Sequence, residues 1–256
     1  MPEVLRTHLL PRLFEPHELC GSTAVVIDIL RASTTITHAL AAGAGVVLPA
    51  EEVESARSLA EQRQANTGET VLLGGERGGE RIEEFDLGNS PLQYTEEAVG
   101  GKTIVFTSTN GTQALARSAE AERVFLGAFA NLSALIRVVT ASFRPVHLVC
   151  AGTNGRISAE DVLFAGALAS AIVETRRVDS VDDDATRLAI DSFAKQGRNS
   201  QSLYEAFTRS HGGRNLTRLG FDADIRRAAE RDLFDVVPEF DAQSGTIQAA
   251  RITVDQ

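Results

Sequence analysis

Along most of the chain, short unbroken apolar runs alternate with stretches whose apolar positions recur at helical spacing. Residues 23–30 (TAVVIDIL), 46–50 (VVLPA), 70–75 (TVLLGG), 103–107 (TIVFT), 123–128 (RVFLGA) and 146–152 (VHLVCAG) are predicted strands. Residues 34–43 (TTITHALAAG) and 51–68 (EEVESARSLAEQRQANTG) are predicted helices, each closed by a glycine, and further helices are expected to begin near Gly111, Asn131 and Ser158. The strand runs are continuous in Val, Ile and Leu rather than alternating. Such strands are covered on both faces, which predicts an α/β sheet with helices on either side.

From about residue 182 the pattern turns helical, through DDDATRLAIDSFAKQG, NSQSLYEAFTRSHGG and FDADIRRAAERDLF. Two closing strands are predicted in LFDVVPEF and GTIQAARITV. No Pro/Gly/Ser linker sets this part off, so one domain over residues 1–256 is expected, with a helical excursion over about 182–232. TIVFTSTNGT and HLVCAGTNGRIS echo each other as strand, small residues, Thr-Asn-Gly, helix.

The polar residues fall where the strands end. Asp28, Arg31, Ser33 and Thr34 follow VVI, and Glu76 and Arg77 follow VLLGG. Ser108, Thr109, Asn110 and Gly111 follow TIVFT; Gly152, Thr153 and Asn154 follow VHLVC, with Glu160 and Asp161 further on. In parallel α/β sheets that rim is where ligands bind. Each turn also opens a helix, whose free N–H groups and positive end suit an anion, and small residues let it approach the backbone. One such turn alone is an ordinary N-cap. Four together, two carrying arginine with a carboxylate, point to a site for phosphate, sulfonate or carboxylate. Residues 74–91 (GGERGGERIEEFDLGNSP) show no clear period; Phe85 and Leu87 argue for order, so a lid bearing Arg77, Asp86 and Asn89 is expected over the site.

The net charge of −10 makes nucleic acid and anionic membrane disfavoured partners. A phosphorylated metabolite stays compatible where arginines, backbone N–H groups or a divalent cation reverse the local sign. The longest apolar stretch, VLFAGALASAIV, is about a dozen residues, too short to span a bilayer, and the first residues lack a signal-peptide core. Cys20 and Cys150 make neither a disulfide framework nor zinc spacing. A cytoplasmic protein is expected.

Phosphoester hydrolysis needs the phosphoryl charge offset and an attacking group aligned. Arg31 and Arg77 suit bidentate phosphate contacts. Magnesium wants one or two carboxylates plus waters. Asp28, at a strand end, is a candidate general base, metal ligand or nucleophile. Glu160 and Asp161 are adjacent in a helix and diverge by about 100°, so at most one of them faces an ion, leaving the other to orient a water or favour the helix N-terminus. None of the five histidines joins these clusters, and Asp28 is followed by Ile29-Leu30 rather than by a second acid, which removes a haloacid-dehalogenase-type nucleophile. Cys150 and Arg156, with five residues between them, have the spacing of cysteine-dependent phosphatases, a metal-free rival that leaves the other clusters unused. A non-catalytic binder of phosphorylated or sulfonated metabolites is the second rival.

VVIDILRASTTI, GGERGGERIEEFDLGNSP, TIVFTSTNGTQAL, VCAGTNGRISAEDVLFAGAL and GFDADIRRAAERDLFDVVP together resemble the 2-phosphosulfolactate phosphatase family over nearly the whole chain. The resemblance implies a three-layer α/β/α fold with a mixed, largely parallel sheet. It also implies a Mg2+-dependent phosphatase that converts 2-phospho-3-sulfolactate to 3-sulfolactate and phosphate, a step towards coenzyme M. Carried over, the catalytic residues are Asp28, Arg31, Glu76 and Arg77, and the metal ligands come from Asp28, Asp86, Glu160 and Asp161. Ser33, Thr34, Asn89, Ser90, Ser108, Thr109, Asn110, Gly111, Gly152, Thr153 and Asn154 would bind substrate, with Arg156 or Arg214 supplying charge for a sulfonate. Cys150 then becomes a core strand residue. A small anionic phosphoester is the implied partner, and family analogy allows a homodimer.

Overall fold

A computed structural model describes residues 4–176 and 181–250. Its strands are β1 Leu5–His8, β2 Thr23–Ile27, β3 Val46–Ala50, β4 Val71–Arg77, β5 Glu80–Arg81, β6 Thr103–Thr107, β7 Arg123–Gly127, β8 Val146–Cys150, β9 Pro238–Asp241 and β10 Thr246–Ala249. The α-helices are α1 Ala32–Ala41, α2 Val53–Thr67, α3 Glu96–Val99, α4 Gly111–Arg117, α5 Leu132–Thr140, α6 Ala159–Arg176, α7 Asp184–Gln196, α8 Ser200–Arg209, α9 His211–Arg218 and α10 Asp222–Ala228. The strands form one mixed, mostly parallel sheet in the order β1-β8-β2-β7-β9-β10-β3-β6-β4-β5. β1, β8, β2 and β7 make one parallel block and β3, β6 and β4 another. The antiparallel hairpin β9–β10 joins them.

Both faces of this sheet are covered, as the continuous apolar runs require. Successive strand residues point to opposite faces. Val25 and Ile27 of β2 therefore enter one core with Leu135 of α5, Leu168 of α6 and Phe207 of α8. Ala24 and Val26 enter the other, with Ile36 of α1 and Leu115 of α4. The architecture is three layers, α/β/α. A smaller cluster packs Ala56 and Ala60 of α2 on Leu48 and Val105.

The elements depart from the sequence expectations in four places. β1, which pairs with β8, is only four residues long and carries no apolar run. The stretch LFDVVPEF becomes strand only from Pro238, since proline has no N–H for a ladder and is accepted at a strand's first residue. The closing strand is observed over Thr246–Ala249; its predicted continuation past residue 250 lies outside the described residues. The stretch expected as one helix over 199–213 breaks at Ser210, whose Oγ accepts the Gly213 N–H at 2.9 Å and caps α9.

The 74–91 segment is also more regular than its pattern suggests. β4 runs on to Arg77, Gly78 and Gly79 take φ of +66° and +98°, and the chain returns as β5. Glu76 faces Arg81 and Arg77 faces Glu80. A two-residue turn with positive φ at both positions is the favoured hairpin link, and glycine adopts it without a Cβ clash.

Candidate functional site

A cleft of about 460 Å³ opens where the turns after β2, β4, β6 and β8 meet. Asp28 and Arg31, Glu76 with Gly78 and Gly79, Thr109 with Asn110, and Thr153 with Asn154 line it from the sheet side. Asn89 adds a wall from the 74–91 segment, and α9 closes the far side through His211, Gly212, Arg214, Asn215, Leu216 and Arg218.

Asp28 sits where β2 passes into α1. Its Oδ1 accepts the Ala32 N–H at 3.2 Å, and its own N–H donates to Ser33 Oγ at 3.0 Å. Burial, then repulsion from Glu76 and Glu160, raises its carboxyl from the ordinary 3.8 to about 7, although the Ala32 N–H and Arg31 favour the charged form. Gly111 belongs to this packing: a β-carbon there would come 2.9 Å from Asp28 Oδ2. Glu76 is fixed by three contacts, accepting Gly79 N–H at 2.7 Å on one oxygen and Thr109 N–H and Oγ1 at 2.8 and 3.0 Å on the other. Glu76 thus ties the β4–β5 hairpin to the turn after β6. The two echoing Thr-Asn-Gly turns touch, with Asn154 N–H donating to Asn110 Oδ1 at 3.0 Å.

Beneath the cleft, Asp161 is buried and spends one oxygen on Ile29 N–H at 2.9 Å and the other on Gly152 N–H at 3.0 Å. It clamps the turn after β2 to the turn after β8. Burial, Glu160 and Asp28 all push its carboxyl upward against those two N–H groups. Glu160 is equally buried, its carboxyl raised by burial, and its Oε2 has no hydrogen-bond partner. Asn89 Oδ1 is likewise a buried acceptor without a donor.

Arg31 is buried and doubly held, to Asp224 Oδ2 at 2.6 Å through Nη1 and to Gly79 O at 2.5 Å through Nη2, with Phe221 stacked 4.5 Å away. Ser90 donates to the other Asp224 oxygen at 2.7 Å. Asp224, within the GFDADIRRAAERDLFDVVP stretch, is thus an anchor to which the sequence reading assigns no role.

Several expected residues support the turns rather than line the cleft. Ser33 donates to Val26 O, Thr34 to Ile29 O, and Ser108 receives Thr112 on both its Oγ and its carbonyl. Arg77 turns away to Glu51 O and Thr107 Oγ1. Asp86 is exposed and caps Leu73 N–H at 2.8 Å, so the four acids Asp28, Asp86, Glu160 and Asp161 do not gather as one set. Among the described residues no three His, Cys, Asp or Glu side chains form a metal-binding group. Arg156 is exposed and is not among the residues lining the cleft, whereas His211, read from the sequence as isolated, is on its wall. The pattern that would have found α9 is His211, Arg214, Asn215 and Arg218, one helix face at spacings of three, four and seven.

The cysteine route fails on burial. Cys150 is fully buried in β8, and burial with Asp161 and Glu160 nearby holds its thiol far from the anion a nucleophile needs. Cys150→Ala is therefore expected to keep kcat/KM within about threefold of wild type while lowering stability by about 1–2 kcal/mol. Phosphate release and a thermal melt check both; a hundredfold loss of turnover in folded protein would reinstate the thiol.

The family model described as 2-phosphosulpholactate phosphatase matches residues 8–243. A protein of Caldanaerobacter subterraneus subsp. tengcongensis named "Probable 2-phosphosulfolactate phosphatase" is 40% identical, over 92% of this chain and 94% of its own. Proteins of the same name from Thermotoga maritima and Carboxydothermus hydrogenoformans are 41% and 37% identical, over 84% and 94% of this chain and 88% and 97% of theirs. No helix among the described residues is long and apolar enough to cross a membrane. The chain belongs to the 2-phosphosulpholactate phosphatase family, a family of phosphoric monoester hydrolases.

Proposed function

We propose that this cleft hydrolyses 2-phospho-3-sulfolactate to 3-sulfolactate and phosphate with the help of Mg2+. The observation that supports it most is the excess of buried negative charge around Asp28. Glu76 and Glu160 repel its carboxylate, while the nearby Arg31 is committed to Asp224. Glu160 Oε2 and Asn89 Oδ1 are buried oxygens lacking donors. An all-oxygen, carboxylate-rich environment with too little positive charge fits a hard divalent cation, and magnesium needs only one or two protein carboxylates. Asp28, which lines the cleft and gives only one of its oxygens to a backbone N–H, is the residue that would hold it, with Glu76 adding negative charge beside it.

When bound, the ion offsets charge on the phosphoryl oxygens, which is the main electrostatic demand of phosphoryl transfer. The protein supplies placement. Asn110 and Asn154 offer side-chain amide donors from two turns locked to each other. Glu76 and Asp161 cross-link the turns, so these donors are preorganised rather than recruited at each turnover. Arg31, held by Asp224 and Gly79 O, keeps a guanidinium beside the phosphoryl position without swinging to it.

The test is phosphate release from 2-phospho-3-sulfolactate and other phosphorylated hydroxy acids, with and without EDTA. Chelation is expected to lower turnover by about a hundredfold or more, and added Mg2+ to restore it. Turnover indifferent to EDTA would sink the metal role; ligand binding with no phosphate release in Mg2+ would leave a binding protein.

A further inference from the structure

The cleft is electrically two-sided. The sheet side presents the carboxylates of Asp28 and Glu76, whereas α9 presents His211, Arg214 and Arg218 from a single face. Neither arginine of α9 forms an ion pair among the described residues. Arg214 donates to the carbonyl of Arg209, and Arg218 donates to Asn215 Oδ1 at 2.8 Å. Asp222 accepts the Thr217 hydroxyl at 3.0 Å, and Glu160, buried beneath Gly212, lies close enough to Arg214 for that charge to favour its ionised form without an ion pair between them. Two guanidinium groups therefore border a cleft with no carboxylate bound to them.

The helix carrying them is pinned at both ends. Asn215 Nδ2 donates to Gly78 O at 3.2 Å, and a β-carbon on Gly79 would meet Leu219 Cδ1 at 2.8 Å. At its start, a β-carbon on Gly212 would lie 2.5 Å from Glu160 Oε1. The basic face is thereby held at a set distance from Asp28 and Glu76, across the width of the cleft.

We propose that this face of α9 is the subsite for the acid end of the substrate away from its phosphoryl group, with Arg214 and Arg218 as its specificity-determining residues. The inference rests on the phosphatase reading above. 2-Phospho-3-sulfolactate carries a carboxylate and a sulfonate besides its phosphoryl group, and anions so close together repel and do not share one cluster of donors. The acidic wall suits a phosphoryl group escorted by a cation, and the basic wall suits a sulfonate or carboxylate met directly by guanidinium forks. A phosphoester with a neutral tail gains nothing from that wall.

The experiment compares 2-phospho-3-sulfolactate with isopropyl phosphate, the same carbon skeleton without its acid groups, in Mg2+. The ratio of the two kcat/KM values is measured for wild type, R214M, R218M and the double variant. Each single substitution is expected to lower the ratio by about 10- to 100-fold, and Arg214→Lys by less, because a lysine keeps the charge but loses the fork. Both side chains are exposed, so the variants are expected to melt with wild type. A ratio within about threefold of wild type in the double variant overturns the inference, as does a wild type without preference for the sulfonated ester. If wild type cleaves neither ester, the phosphatase reading itself fails and this one with it.

Discussion

Asp28→Asn is expected to lose phosphate release by about 10³-fold or more while raising the melting temperature of the chelated protein. The substitution keeps the side chain's shape and an oxygen for the Ala32 N–H, so the turn from β2 into α1 survives. What it removes is a charge that folding opposes. A carboxyl raised from 3.8 to about 7 on folding contributes stability fully below the lower value, and that contribution is gone once the pH rises past the upper one. At pH 8 in EDTA the ionised group therefore destabilises the fold by a few kcal/mol, and its removal is expected to raise Tm by about 5–10 °C. Magnesium is expected to raise the Tm of wild type but not of the variant. Calorimetry with and without Mg2+ checks the two statements on melting, and a phosphate-release assay checks the loss of turnover. An Asp28→Asn enzyme that stays active, or one that melts well below wild type in EDTA, would show that Asp28 is a structural capping residue.

The second large effect concerns Asp224. Arg31 and Asp224 are both almost fully buried and in contact at 2.6 Å, so deleting one leaves the other charged and unpaired. Breaking such a pair typically destabilises by about 3–5 kcal/mol, or about 10 °C in Tm for a chain of this size. Asp224→Ala also frees Ser90 and releases Arg31 from its fixed position, and kcat/KM is expected to fall by about 10- to 100-fold in the protein that stays folded. The pair Arg31→Met with Asp224→Leu separates the two roles. Apolar side chains of similar size are expected to recover most of the lost stability and none of the lost activity. Recovery of both would reduce the ion pair to a packing element.

Legibility of the chain followed the range of the forces involved. β2, β3, β6, β7 and β8 were readable because a strand buried on both faces must be apolar throughout, whatever its neighbours are. Four strand-end turns with small and polar residues were readable for the same reason, since each is a local structure. The β4–β5 hairpin was readable in principle from Gly78-Gly79 but was hidden by the charges around it. Asp161 illustrates the limit. The family resemblance assigns it to a metal, yet its two oxygens are taken by Ile29 and Gly152, partners set by the docking of α6 under two turns. Asp86 was placed in the site by its motif and turned out by the hydrogen bond to Leu73 that orders its own segment.

The sequence alone therefore determined the layered sheet, the family and the turns from which donors and Asp28 emerge, because periodicity and turn chemistry act over a few residues. Folding decided which charges meet. Arg31 finds Asp224, Glu76 bridges two turns, and α9 swings a basic face across from two carboxylates only once distant segments pack together. Those pairings depend on distances of a few ångströms between residues far apart in the chain, and Coulomb energy and hydrogen bonding are steep over that range.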